Sequence, residues 1–460
     1  MSTSIVWFRK DLRLRDNQAL LSAIHRNVPM ILLYLYDEEN FQGASASKRW
    51  LHASLESLAQ DITNLGSTLF IKKGSEKELI ELIKKYKVDT VFWNRDYEPG
   101  SLQKESALLK ELSKIGCRGE VFSGNFMFPP GSIFTPKGTP YKVFTPYLNA
   151  VLKEAAPRRS FALPQNLPKC PFAISSDLLE EVDFSSRYGD TWSPGEKGAL
   201  LALKEFSSKV DKYPVLRDFP AETGTSKLSA HLHFGEISPF TVWHALAHKD
   251  SQPYLRQLIW REFAATLLHF FPETKTEPLR PEFKNFSWST NQEFLKKWQE
   301  GNTGYPIVDA GMRELKETGW MHNRVRMIVA SFLVKDLGLD WKAGESWFFD
   351  CLVDADLPNN IFGWQWAAGC GADAAPYFRI FNPTSQGEKF DPLGNYVRKY
   401  VPELADLPAK WIHRPIEAPR EILKAAGVTL GLNYPFPIVD HKIAREEALA
   451  RYAKVKSSYE

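Results

Sequence analysis

The sequence predicts an α/β parallel-sheet domain followed by an all-α domain. Two observations carry this. In the first third, short apolar runs alternate with amphipathic stretches, the pattern of strand, helix and strand again. In the second half, apolar residues recur at helical spacing and tryptophan becomes frequent: of 14 in the chain, eleven stand at or after Trp192. We expect an α/β domain over residues 1–150, a connector over 151–190 and a helical domain over 191–460.

Taken in order, the runs 5–8, 30–36, 67–71, 90–93 and 119–122 predict strands, and 48–65, 76–87 and 102–115 predict the helices between them. Ligands on such sheets sit beyond the carboxyl ends of strands, where Arg9, Lys10, Asp37, Asn94 and Asp96 fall. No G-x-G-x-x-G follows the first strand, so a nicotinamide-type dinucleotide site is not expected. The prolines and paired arginines of 151–190 read as a connector running over the surface. Helices follow at 243–248, 254–271, 291–300, 308–318, 322–337 and 345–352, with Gly301, Gly319 and Gly338 at their ends.

Composition narrows the class. Apolar residues at 43% and charged residues at 25% are those of an ordinary globular protein, and no apolar run suits a membrane span. The N-terminus lacks a basic region ahead of an apolar core, so a cytoplasmic protein is expected. Cys117, Cys170, Cys351 and Cys370 are far apart, which argues against zinc and against a disulfide framework. A net charge of +3 permits nucleic-acid binding without requiring it.

The densest chemistry lies in 350–383. Asp354 and Asp356 precede Leu357-Pro358, and proline biases the residue before it away from helix, so these carboxylates are expected on a turn. Trp364 and Trp366 are two apart, about 200° on a helix, and point to opposite sides. Thr223 to Ser229 offers hydroxyls, backbone N–H groups and a lysine ahead of a helix, equally an anion site or an ordinary cap. The segments 258–263 and 320–327 mix aromatics and arginines, suited to phosphates and stacked bases or to internal ion pairs; Arg326 is a natural partner for Asp354. His231 and His233 lack companions that would complete a metal site, and no hydrolytic motif appears.

Several of these motifs together resemble the photolyase and cryptochrome family. They are V-W-F-R-K-D-L-R-L-R-D-N at 6–17, G-T-S-K-L-S at 224–229, I-W-R-E-F at 259–263, G-Y-P-I-V-D at 304–309 and W-M-H-N-R-V-R-M at 320–327, then D-A-D-L at 354–357, G-W-Q-W at 363–366 and A-A-P-Y-F-R-I-F-N-P at 374–383. The resemblance implies an N-terminal domain for an antenna chromophore, a folate such as MTHF or a deazaflavin, and a helical domain that buries FAD. It implies light-driven reversal of pyrimidine dimers in DNA: excited FADH⁻ donates an electron to the cyclobutane, the ring splits and the electron returns. A monomer acting on dimer-bearing DNA is expected, and no membrane.

By motif, the resemblance implies that Tyr213, Thr225, Ser226, Lys227, Leu228, Ser229, Tyr254, Arg326, Asp354, Ala355, Asp356 and Asn360 hold FAD, with Asn360 near the reactive flavin nitrogen. Asparagine there is usual in repair enzymes. Trp364, Trp341 and Trp288 match the chain that carries electrons to the flavin from the surface. Gln257, Trp260, Asn323, Met327 and Trp366 match the lesion pocket, and Arg217, Arg261, Arg324 and Gln386 match DNA contacts. Two departures stand out. Gln257 replaces the usual glutamate and cannot donate a proton as an acid, which predicts slower repair. Residues 358–363 differ from the Asn-Asn-Gly-Gly form of well-known bacterial enzymes. The paired histidines of (6-4) photolyases would fall at Asn323 and Met327, which disfavours that substrate. A blue-light receptor of the cryptochrome type is the second reading.

Overall fold

A computed structural model describes residues 2–38, 43–154, 156–177, 188, 191–247, 251–374 and 376–457. These pack into two compact units: Met1–Asp211 with Ser226–Phe270 and Val353–Asp356 in the first, and Lys212–Thr225 with Phe271–Leu352 and Leu357–Glu460 in the second. The units cut across the ranges expected from composition, because the helices at Glu196–Ser207 and Gln252–Phe270 belong with the sheet. Much of 178–190 in the expected connector lies outside the described residues.

In the first unit five parallel strands, β1 Ser4–Phe8, β2 Met30–Tyr36, β3 Leu69–Lys73, β4 Thr90–Asn94 and β5 Arg118–Phe122, form one sheet in the order β3-β2-β1-β4-β5. The order reverses between β1 and β4, whose register runs from Ser4 against Thr90 to Trp7 against Trp93. β1, β2 and β4 are buried along their whole length, so both faces are apolar: Ile5, Ile31, Leu33, Val91 and Trp93 pack on Leu79, Ile83, Leu108 and Leu112 of the flanking helices. β3 begins two residues later than expected, since the turn that ends the preceding helix continues to Ser67, whose N–H bonds the Ile62 carbonyl. Buried carboxylates tie the later helices to this layer: Glu236 accepts from Trp50 Nε1 at 2.9 Å, and Glu262 accepts from the N–H groups of Met127 and Phe128 at 2.7 Å each.

The second unit is helical. Asn291 caps its helix by accepting the Phe294 N–H at 3.0 Å, and Gly301 and Gly319 close their helices in the left-handed conformation. The expected helix over 322–337 is α-helical only for Asn323–Ser331; Phe332–Asp336 form a π turn, in which the Leu337 N–H bonds the Phe332 carbonyl. The inserted residue carries Lys335 and Asp336 into the interior, where Lys335 Nζ donates to the Arg379 carbonyl at 2.8 Å. Burial lowers the Lys335 pKa to about 8. The helix following Thr223–Leu228 spans only Ser229–His233.

Candidate active site

In the first unit, the crevice where the strand order reverses is filled by the protein's own polar groups. Asn94 Nδ2 donates to Asp11 Oδ2 at 2.5 Å and Asn17 Oδ1 at 2.9 Å, while Arg13 Nη1 bonds Asn125 Oδ1 at 2.6 Å. Arg9 faces Asp96 at 3.8 Å, and Lys10 pairs with Glu98. Most of these residues follow the carboxyl ends of β1 and β4, where ligands bind in open α/β sheets, and they bond to one another, although the buried Arg13 Nε has no partner among the described residues.

The Val353–Asp356 segment belongs to this unit and is non-helical, as expected, but not for the expected reason: Leu357, the residue that Pro358 restricts, opens the helix. Asp354 and Ala355 are buried. Asp356 Oδ2 lies 3.6 Å from His233 Nδ1. Burial opposes the Asp356 charge, but His233, then Arg261 and Lys10, outweigh it and hold this carboxyl far below the usual range. His233 thus serves a carboxylate, and His231 bonds Glu236. At 226–229, Ser226 Oγ accepts from Tyr254 Oη at 2.9 Å and from the Leu228 N–H at 3.3 Å, while Lys227 adopts a left-handed φ of 54° with its Nζ 5.3 Å over the Trp192 ring. Ser229 opens the short helix.

Helix Gln252–Phe270 carries the expected lesion residues of this unit. Gln257 Nε2 donates to the Pro253 carbonyl at 3.2 Å. Trp260 stacks on Phe144 with ring centroids 3.5 Å apart and planes at 8°. Arg261, expected to touch DNA, donates from Nη1 to the Asn125 carbonyl at 2.8 Å, and its guanidinium lies 4.8 Å over Phe126.

In the second unit, Asn360 Nδ2 donates twice to Glu345, to the carbonyl at 3.0 Å and to Oε1 at 2.8 Å. With both N–H groups committed to one residue, the amide has a fixed orientation and presents Oδ1 as an acceptor. This suits a ligand that offers an N–H there, as reduced FAD does. Trp364 is 2% exposed, with Phe348 and Trp298 edge-on at 5.0 and 6.1 Å, and its ring lies over Gly344, one helical turn beyond the buried Trp341. Trp288 is partly exposed and lies 4.3 Å from Phe286. Trp366 is partly exposed where Trp364 is buried, so the expected opposition of the two rings appears as a difference in burial.

Asn323 is exposed and its Nδ2 lies 3.8 Å from Met327 Sδ, one turn along the same helix. Arg326 Nε donates to the Met321 carbonyl at 2.7 Å. Arg324 bonds Asp218 at 2.8 Å, with Arg217 3.9 Å from the same carboxylate oxygen and 5.4 Å over Tyr213. Gln386 keeps a buried Oε1 without a partner among the described residues. Thr225 belongs to this unit, one residue before the chain passes to the other. Sequence reasoning missed Glu345, Asp218 and Trp298, and weighed His233 only as a metal ligand. Nothing in their local pattern separates them from ordinary helix and turn residues; only their partners do.

Two family models match the chain, described as "DNA photolyase" over residues 4–169 and "FAD binding domain of DNA photolyase" over 254–454. The protein belongs to the DNA photolyase family. It is 47% identical to the deoxyribodipyrimidine photo-lyase of Agrobacterium fabrum, over 99% of this chain and 98% of that one. It is 34% identical to cryptochrome-1 of Arabidopsis thaliana, over 99% of this chain and 71% of that one. Among solved structures, a bacterial class III photolyase from Agrobacterium tumefaciens superposes with a TM-score of 0.96 at 45% identity, covering 99% of this chain and 98% of that one. No helix among the described residues is long and apolar enough to cross a membrane.

Proposed function

We propose that this protein is a deoxyribodipyrimidine photolyase that uses light to reverse cyclobutane pyrimidine dimers in DNA, acting as a cytoplasmic monomer. The observation that carries the reading is the Asn360 amide, locked by Glu345 with its oxygen free to accept from the N–H of a reduced flavin. When bound, reduced FAD supplies the light-excited electron that splits the dimer, and everything else falls to the protein's own residues. Tyr213, Thr225 to Ser229, Tyr254, Arg326, Asp354, Ala355, Asp356 and Asn360 are the residues assigned to the cofactor. Trp364, Trp341 and Trp288 restore its reduced state. Gln257, Trp260, Asn323, Met327 and Trp366 receive the flipped dimer, whose poor stacking lowers the cost of extrusion. Arg217, Arg324 and Gln386 meet the backbone.

A second, light-gathering chromophore, a folate or a deazaflavin, belongs to the first unit. Asn94 Nδ2 and Glu98 Oε1 are already committed to neighbours. The decisive experiment reduces the purified protein, adds a duplex carrying one defined cyclobutane or (6-4) lesion, and compares blue light with darkness. Light-dependent repair of the cyclobutane lesion is expected. Absence of repair of either lesion refutes the enzyme and favours a receptor.

A further inference from the structure

We propose that Asp218 is a built-in competitor for DNA phosphates, which keeps two arginines aimed and limits how tightly they grip the backbone. The inference rests on the repair reading above and concerns its affinity for DNA. Asp218 sits on the turn directly after the Tyr213–Leu216 helix. Its Oδ1 lies 2.8 Å from Arg324 Nη2 and 3.9 Å from Arg217 Nε, so one carboxylate oxygen occupies the place between two guanidinium groups that a phosphodiester oxygen would take.

The arginines are held for that task. The Arg324 guanidinium lies 4.3 Å over the Phe390 ring, and its Nε has no partner among the described residues, so the fork is oriented while part of its donor capacity is unspent. Beneath it His322 accepts the Arg324 N–H on Nδ1 at 3.1 Å, which places the imidazole proton on Nε2. The ring stays neutral, its pKa lowered to about 4 chiefly by burial, with Asp218 opposing and Arg326, Arg324 and Arg217 adding to the shift. The local charge is therefore set by the arginines and Asp218. Asp218 is 33% exposed and Arg324 18%, so the pair is partly hydrated and a phosphate can displace it at modest cost.

Binding to undamaged duplex is nearly all electrostatic, so one negative charge facing the backbone subtracts directly from it. Binding to a lesion adds pocket contacts that do not depend on Asp218. The carboxylate therefore weakens both modes by the same factor, and preference for the lesion is left to the pocket.

The test is fluorescence anisotropy with a labelled duplex, undamaged or carrying one cyclobutane dimer, across a roughly fourfold range of KCl. Asp218→Asn is expected to bind undamaged DNA roughly three- to tenfold more tightly at low salt, with a plot of log affinity against log salt steeper by about one. Dimer DNA gains by the same factor, so the preference is unchanged, and Asp218→Glu retains wild-type values. On an Arg324→Ala background the gain disappears. Should Asp218→Asn fail to fold, Asp218→Ser is read in the same way. Unchanged affinity and slope, or equal weakening by Asp218→Asn and Asp218→Glu, overturns the inference and leaves Asp218 a structural residue. A wild type that shows no preference for dimer DNA overturns the repair reading instead.

Discussion

Replacing Gly344 with alanine probes the packing that positions Trp364. A methyl at this place, on the buried side of the Trp341–Cys351 helix, would stand 2.1 Å from Trp364 Cη2, 2.4 Å from Cζ3 and 2.6 Å from Leu333 Cδ2. Ordinary carbon contact is about 3.5 Å, so the indole must retreat by roughly 1.4 Å or the helix must shift. The ring has little room to move. Phe348 and Trp298 stand edge-on to it, and Trp298 is itself pinned by its Nε1 bond to the Val329 carbonyl at 3.1 Å. Overpacking of this kind costs about 1–3 kcal/mol, and alanine returns about 0.5–1 kcal/mol through helix propensity, for a net loss of about 1–2 kcal/mol. Urea denaturation followed by far-UV dichroism measures the loss, and the rate of flavin photoreduction under blue light in the same variant measures displacement of the donor. Both should fall. A Gly344→Ala protein with the wild-type urea midpoint and photoreduction rate would show that Trp364 does not depend on this contact.

Four further outcomes follow from the geometry. Glu345→Leu frees the Asn360 amide to turn, so air oxidation of the reduced flavin should accelerate several-fold, and Glu345→Gln should recover part of the difference; equal oxidation rates in all three proteins would refute the lock. Glu262 is fully buried and burial raises its pKa to about 7, despite the two N–H groups that favour its anion. The folded state therefore holds this proton more tightly than the unfolded chain, and the contribution present below the unfolded value near 4.5 is lost as pH rises to about 7. Between pH ~5 and ~8 the wild type should lose on the order of 1–3 kcal/mol more than Glu262→Gln, and parallel pH profiles from denaturation would exclude it. Gln257→Glu supplies an acid where the wild type has an amide, so its repair quantum yield should exceed that of the wild type; equal yields would remove the role given to this residue. His233→Ala withdraws the neighbour named first among those favouring the Asp356 anion, and should weaken flavin retention during dialysis, an effect absent if Asp356 does not touch the cofactor.

Where the physics is local, the sequence was a sufficient guide. Strands and helices of the sheet layer followed from apolar periodicity, and helix ends from Gly301 and Gly319, since each depends on backbone preferences within a few residues. Family motifs supplied candidate residues for cofactor, electron path and DNA. What lay beyond reach were relations between residues distant in the chain. The strand order β3-β2-β1-β4-β5 is decided by which apolar faces meet. So is the assignment of residues 196–207 and 252–270 to the sheet unit, and so is the burial that turns Lys335 inward at the π turn. The same holds for the site: His233 against Asp356, Glu345 against Asn360 and Asp218 against Arg324 are separated by 123, 15 and 106 positions. Charge attraction, hydrogen bonding and steric fit act through space over a few ångströms, and sequence separation carries no record of that distance until the chain has folded.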